Sequence, residues 1–95
     1  MNSVSLIGTL TADPTMRVNR AGFDECRMQL AVPRRSREGR PEPGVVYVDV
    51  TTFGPDAVAC RDRLRVGSRV GLSGRLEVDP PHDGTWVVID QLDFV

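Results

Sequence analysis

Tyr47, Asp49, Thr51 and Phe53 alternate with Val46, Val48 and Val50 along the segment Val45–Phe53. Successive side chains of a strand point to opposite sides. The pattern predicts a core face of Val46, Val48 and Val50. It predicts a wetter face carrying Tyr47 and Phe53, with Asp49 and Thr51 between them. Two of the chain's five aromatic residues thus share one side of one strand. Open rings on a sheet are stacking platforms, and bases stack on such platforms in single-stranded nucleic-acid binders. The competing role for both rings is burial under a helix or a partner subunit. Just upstream, Arg34, Arg35, Arg37 and Arg40 fall within seven positions, offset by Glu38 and Glu42. Guanidinium groups bond phosphate through two parallel contacts and stack on flat rings. The remaining local surplus of positive charge favours phosphate contact over a merely solvated tip.

Composition sets limits on this chemistry. The net charge is −1, and all 12 basic residues are arginine. A dedicated nucleic-acid binder is often basic throughout. Here positive charge is local, and acidic residues gather toward the C-terminus at Glu77, Asp79, Asp83, Asp90 and Asp93. Cys26 and Cys60 fit no metal spacing and read as buried thiols in a cytosolic chain. No run is long and apolar enough for a membrane span, and the N-terminus lacks a signal-peptide pattern. No Ser/His/Asp set, paired carboxylates or phosphate-cradling glycine loop supports an enzyme, and no cofactor is implied. His82, in a turn, reads as an exposed bystander.

The elements that position these residues are short strands. Ninety-five residues suit one domain, spanning 1–95. A first strand runs through Val4, Leu6, Gly8 and Leu10. Asp13-Pro14 and Asn19–Gly22 mark turns. A second strand places Cys26, Met28, Leu30 and Val32 on one face and Glu25, Arg27 and Gln29 on the other. Residues 33–44, with three prolines and two glycines, read as a long hairpin tip before the Tyr47 strand. Gly54-Pro55-Asp56 starts a helix of roughly eleven residues, buried through Ala57, Cys60 and Leu64 and ended near Gly67. The fourth strand alternates Val70, Leu72, Gly74, Leu76 and Val78. A turn at Pro80–Gly84 leads into a fifth strand from Trp86 to Gln91. Trp86 shares parity with Val88, leaving burial and nucleic-acid contact as alternatives for it.

Five strands with one helix between the third and fourth predict an all-β OB-fold, a five-stranded Greek-key barrel. An SH3-like barrel is the alternative. OB-folds bind oligonucleotides or oligosaccharides across the second and third strands and the neighbouring loops. That is where Tyr47, Phe53 and the arginine loop fall.

The chain also resembles the bacterial single-stranded DNA-binding proteins. The carrying residues are Met1–Val4, Leu6–Pro14, Arg17–Gly22, Leu30–Val32 with a following arginine, Phe53-Gly54, Leu64–Val70 and Gly74–Leu76. The resemblance implies stacking aromatics at Tyr47 and Phe53. A third stacking position is Ser36 here. A fourth lies in Glu77–Pro81, which has no aromatic. It also implies a homotetramer, or a dimer, built by pairing first-strand edges. The sequence as it stands lacks the family's tail with an acidic tip, and it reads either as a truncated member or as a diverged, naturally tailless one.

The expected function is sequence-independent binding of single-stranded DNA in replication, repair or recombination, in the cytoplasm at the nucleoid. Arg34, Arg35, Arg37, Arg40, Tyr47, Phe53 and Trp86 are the candidate contacts. The alternative is an OB-fold module that binds protein, with the rings buried at the interface. An oligosaccharide site would need polar groups flanking the rings, which the sequence does not offer.

Overall fold

Strand register closes the barrel. In the computed structural model, which describes residues 1–36, 38–79 and 84–94, six strands and one helix follow in order. They are β1 (Val4–Leu10), β2 (Thr15–Val18), β3 (Asp24–Arg35), β4 (Pro41–Phe53), α1 (Pro55–Arg63), β5 (Arg69–Asp79) and β6 (Gly84–Phe94). The sheet order is β1-β5-β6-β4-β3-β2, and β1 also pairs with β3 through Thr9–Ala31 and Leu10–Leu30. That contact joins the ends, so β1, β5, β6, β4 and β3 form a closed ring. All pairs are antiparallel except β4–β6, which is parallel at Val50–Val87 and Thr51–Val88. This is the OB-fold topology expected from the order of strands and helix.

Inward residues fill the ring. Leu10, Cys26, Leu30, Val50, Val70 and Val87 are almost wholly buried, with Met28, Leu72 and Ile89 beside them. The helix plugs one end through Ala57, Cys60 and Leu64, as its spacing predicts. Pro55 occupies its first turn, where a missing N–H costs nothing. It is nine residues long rather than eleven, because Leu64 already turns extended. Gly67 lies beyond it in a separate turn, where its N–H donates to the Leu10 carbonyl. Both cysteines are free and buried.

Several expectations need correction. The segment between the two early turns is a strand, β2, which pairs with β3 outside the ring. Residues 33–44 are not a loop. β3 and β4 continue to Arg35 and Pro41, so paired strand takes up most of this segment. Pairing continues because a two-stranded arm satisfies its own backbone without needing a core. A register shift between Pro33 and Arg35 absorbs extra residues of β4, and Gly44 supports it with a φ of 94°. The arm helps to give the molecule extents of 44 × 28 × 21 Å.

The arm also explains why Val46 is 51% exposed rather than core. Its parity is right, but the strand has left the barrel by that point. Leu76 and Val78 are exposed for the same reason, on a β5–β6 hairpin that runs past the ring. Thr51 errs the other way. It is buried between Arg27 of β3 and Val88 of β6, and its hydroxyl donates to the Cys26 carbonyl at 3.1 Å. The expected turn at Pro80-Pro81-His82-Asp83 lies outside the described residues, as does Arg37. Among the described residues no helix is long and apolar enough to cross a membrane.

Candidate nucleic-acid interface

Register assembles one outer face from four strands. On β4 it carries Tyr47, Asp49 and Phe53, and opposite them on β3 stand Ala31, Gln29 and Glu25. Arg27 of β3 faces Thr15 of β2 and Thr51 of β4, while Glu25 faces Arg17 of β2. The parallel pairing of Val50 with Val87 puts Trp86, one residue earlier on β6, beside Asp49.

Tyr47 is the most open ring of the three, 64% exposed, because its neighbour Ala31 is too small to cover it. Phe53 is 39% exposed at the far end of β4, next to the helix start. Six residues of strand separate them by about 20 Å. They therefore serve different nucleotides of one strand. Trp86 is half-buried between them.

Trp86 is not a bare platform. The Arg27 guanidinium lies over its ring at 4.1 Å from the centroid. Glu25 holds that guanidinium in place. Its Oε2 accepts from Arg27 Nε at 3.1 Å and from Arg17 Nε at 2.7 Å. Glu25 is only 6% exposed, so its charge is balanced by two cations rather than by water. Cation–π attraction on a partly buried indole contributes about 0.5–2 kcal/mol. The outcome is a fixed guanidinium plane on which a base can stack. Alternation puts Arg27 on the outer face of its strand but singles out neither it nor Arg17, because only the β2–β3–β4–β6 register reveals the contact with Trp86.

The arginine cluster sits apart from this centre. The Arg34 stem runs past Gly44, and Arg35 donates to the Gly39 carbonyl at 3.2 Å within the tip. The Ser36 hydroxyl accepts from Arg40 N–H, and the Arg40 carbonyl accepts from Ser36 N–H. Arg34, Arg35 and Arg40 thus line the arm beyond Tyr47. Between the turn after β1 and the start of β6, the face sinks into a recess of about 330 Å³ lined by Ala12, Asp13, Thr15, Arg27, Gln29, Asp49 and Trp86 among others. The turn is pinned by Asp13, whose carboxylate accepts from Val66 N–H at 2.8 Å.

A closed five-strand ring with aromatic rings and guanidinium groups on one outer face defines an OB-fold domain. The chain belongs to the single-strand binding protein family, whose profile matches residues 1–91. It is 34% identical over 79 residues to single-stranded DNA-binding protein 1 of Clostridium acetobutylicum, covering 82% of this chain and 72% of that one. It is 36% identical over 80 residues to single-stranded DNA-binding protein 2 of Chlorobaculum tepidum, covering 81% of this chain and 54% of that one. With the single-stranded DNA-binding protein of Thermosynechococcus vestitus it shares 32% over 79 residues, which is 83% of this chain and 62% of the relative. The match thus takes in between about half and three quarters of these relatives' lengths. The crystal structure of the SSB domain of a Synechococcus protein superposes with a TM-score of 0.77 at 24% identity, covering 97% of this chain and 93% of that one. At that identity the superposition establishes the fold.

Proposed function

We propose that this domain, spanning residues 1–95, binds single-stranded DNA without strong sequence preference and does no chemistry on it. The observation that carries the reading is the run of platforms across one face, the open rings of Tyr47 and Phe53 with the half-buried Arg27–Trp86 stack between them. Bases stack on these, and the arginines of the arm, with Arg37 among them, hold the phosphates. Membership of the single-strand binding protein family and the names of its relatives support the same ligand. The role is to protect and present single strands in replication, repair or recombination, in the cytoplasm at the nucleoid.

Self-association belongs to this reading, with a tetramer favoured over a dimer. It is supported by the edge of β1. β5 pairs with it from Val4 to Thr9, but β3 reaches only Thr9 and Leu10. The stretch Val4–Ile7 therefore offers one row of backbone groups to a second copy.

Titration of a labelled oligo-dT by fluorescence anisotropy across a salt series tests the reading. Four engaged arginines give a log–log slope of about −3, from ~0.7 per phosphate on a single strand. Absence of binding at low salt refutes it and directs attention to a protein partner for the Tyr47 face.

A further inference from the structure

The recess beside Trp86 holds groups that neither stacking nor phosphate contact uses. Asp49 is exposed at its rim, and among the described residues nothing pairs with its carboxylate. A carboxylate in the middle of a phosphate-tracking face weakens binding unless it meets a donor. Opposite it, Gln29 is also exposed, and its Oε1 accepts from the Thr11 hydroxyl at 2.9 Å. That bond leaves the Gln29 amide hydrogens to donate. The recess thus presents an acceptor and a donor side by side, next to a fixed stacking plane. Its volume of about 330 Å³ is at the lower end of small-ligand sites.

Resting on the reading of this face as a single-stranded DNA site, we propose that the recess seats one nucleobase and reads its edge through Asp49. The domain then binds cytosine-bearing strands more tightly than thymine-bearing ones. The chemistry follows from the two edges. Cytosine carries an exocyclic amino group, which donates to an aspartate. Its ring nitrogen alongside accepts from the Gln29 amide. Thymine has a carbonyl in place of that amino group, and an ionised carboxylate has no proton to offer it. The one N–H on thymine's pairing edge lies between two carbonyls, whose lone pairs repel the carboxylate. Differences in stacking strength also tilt a single-strand binder between pyrimidines, but such a preference would not respond to exchange of Asp49, which meets the base edge and not its face.

The test compares oligo-dC with oligo-dT of equal length, bound to the full chain and to Asp49→Asn, at neutral pH and fixed salt. The expected wild-type preference for dC is roughly fivefold, the low end for a specific side chain–base contact. Asparagine both donates and accepts, so Asp49→Asn should bring the dC/dT ratio toward one. It should also tighten both oligomers by removing a negative charge. Equal wild-type affinities, or a ratio unchanged in Asp49→Asn, overturn the base reading while leaving single-strand binding intact. Failure of both oligomers to bind at low salt overturns the underlying function as well.

Discussion

Replacing Tyr47 by alanine separates a binding ring from a packing ring. Tyr47 is 64% exposed and stands opposite Ala31, so little of its surface is packed in the free domain. Its deletion should cost less than about 1 kcal/mol of stability, the span of strand preferences. For a domain of this size that lowers Tm by no more than about 4–8 °C. Stacking of a base contributes about 1–3 kcal/mol. At 1.4 kcal/mol per tenfold, Kd for oligo-dT should rise about 5- to 150-fold. Tyr47→Phe keeps the ring and should bind within a small factor of wild type. The assay is anisotropy at fixed salt, paired with thermal melting and sedimentation. An unchanged Kd for Tyr47→Ala would refute the platform. So would dissociation of the assembly with DNA affinity intact, since that outcome places the ring at a protein interface.

Other regions of the barrel give sharper tests of the fold. A Cβ on Gly74 would stand 2.0 Å from the Val88 carbonyl oxygen, so Gly74→Ala must push β5 from β6 and should cost about 1–3 kcal/mol or more, read as a fall in denaturation midpoint. Leu30 is fully buried, and Leu30→Ala should cost about 2–5 kcal/mol by the same measurement. Replacing Arg34 and Arg35 together by alanine should make the salt slope about 1.4 shallower if each holds one phosphate, with equal effect on all sequences. A hydrogen bond to Cys26 and burial raise the Cys60 thiol above its ordinary value of 9.0. The folded state therefore keeps a proton that the unfolded chain loses, and stability should fall as pH rises past about 9. Cys60→Ala should flatten that decline, and a thiol reagent should label Cys60 only on unfolding.

Much of the barrel is legible from residue order alone. Alternation in Cys26–Val32 and Val70–Leu72 marks strands with one apolar face, and Gly54-Pro55-Asp56 with Ala57, Cys60 and Leu64 marks the helix. Alternation says which way a side chain points but not where the barrel stops. Val46 and Val78 have core parity and yet stand on projecting hairpins, exposed. The run of prolines and glycines in residues 33–44 reads as a loop by local preference. Pairing of Pro33 with Val45 and of Arg35 with Pro41 overrides that preference, because each strand supplies the other's hydrogen bonds.

The same division holds for the site. Residue order alone puts Tyr47 and Phe53 on one face, through the two-residue repeat of a strand, and sets four arginines close together just upstream. That Arg27 lies over Trp86 and is held there by Glu25, which also pairs with Arg17, follows from tertiary pairing alone, because these residues come from β3, β2 and β6 and meet through register. The same pairing opens Asp49 onto a recess instead of bulk surface. Side-chain direction is set by neighbours in the chain. Proximity across strands is set by which backbone groups pair, and residues far apart in sequence carry no local signal of that choice.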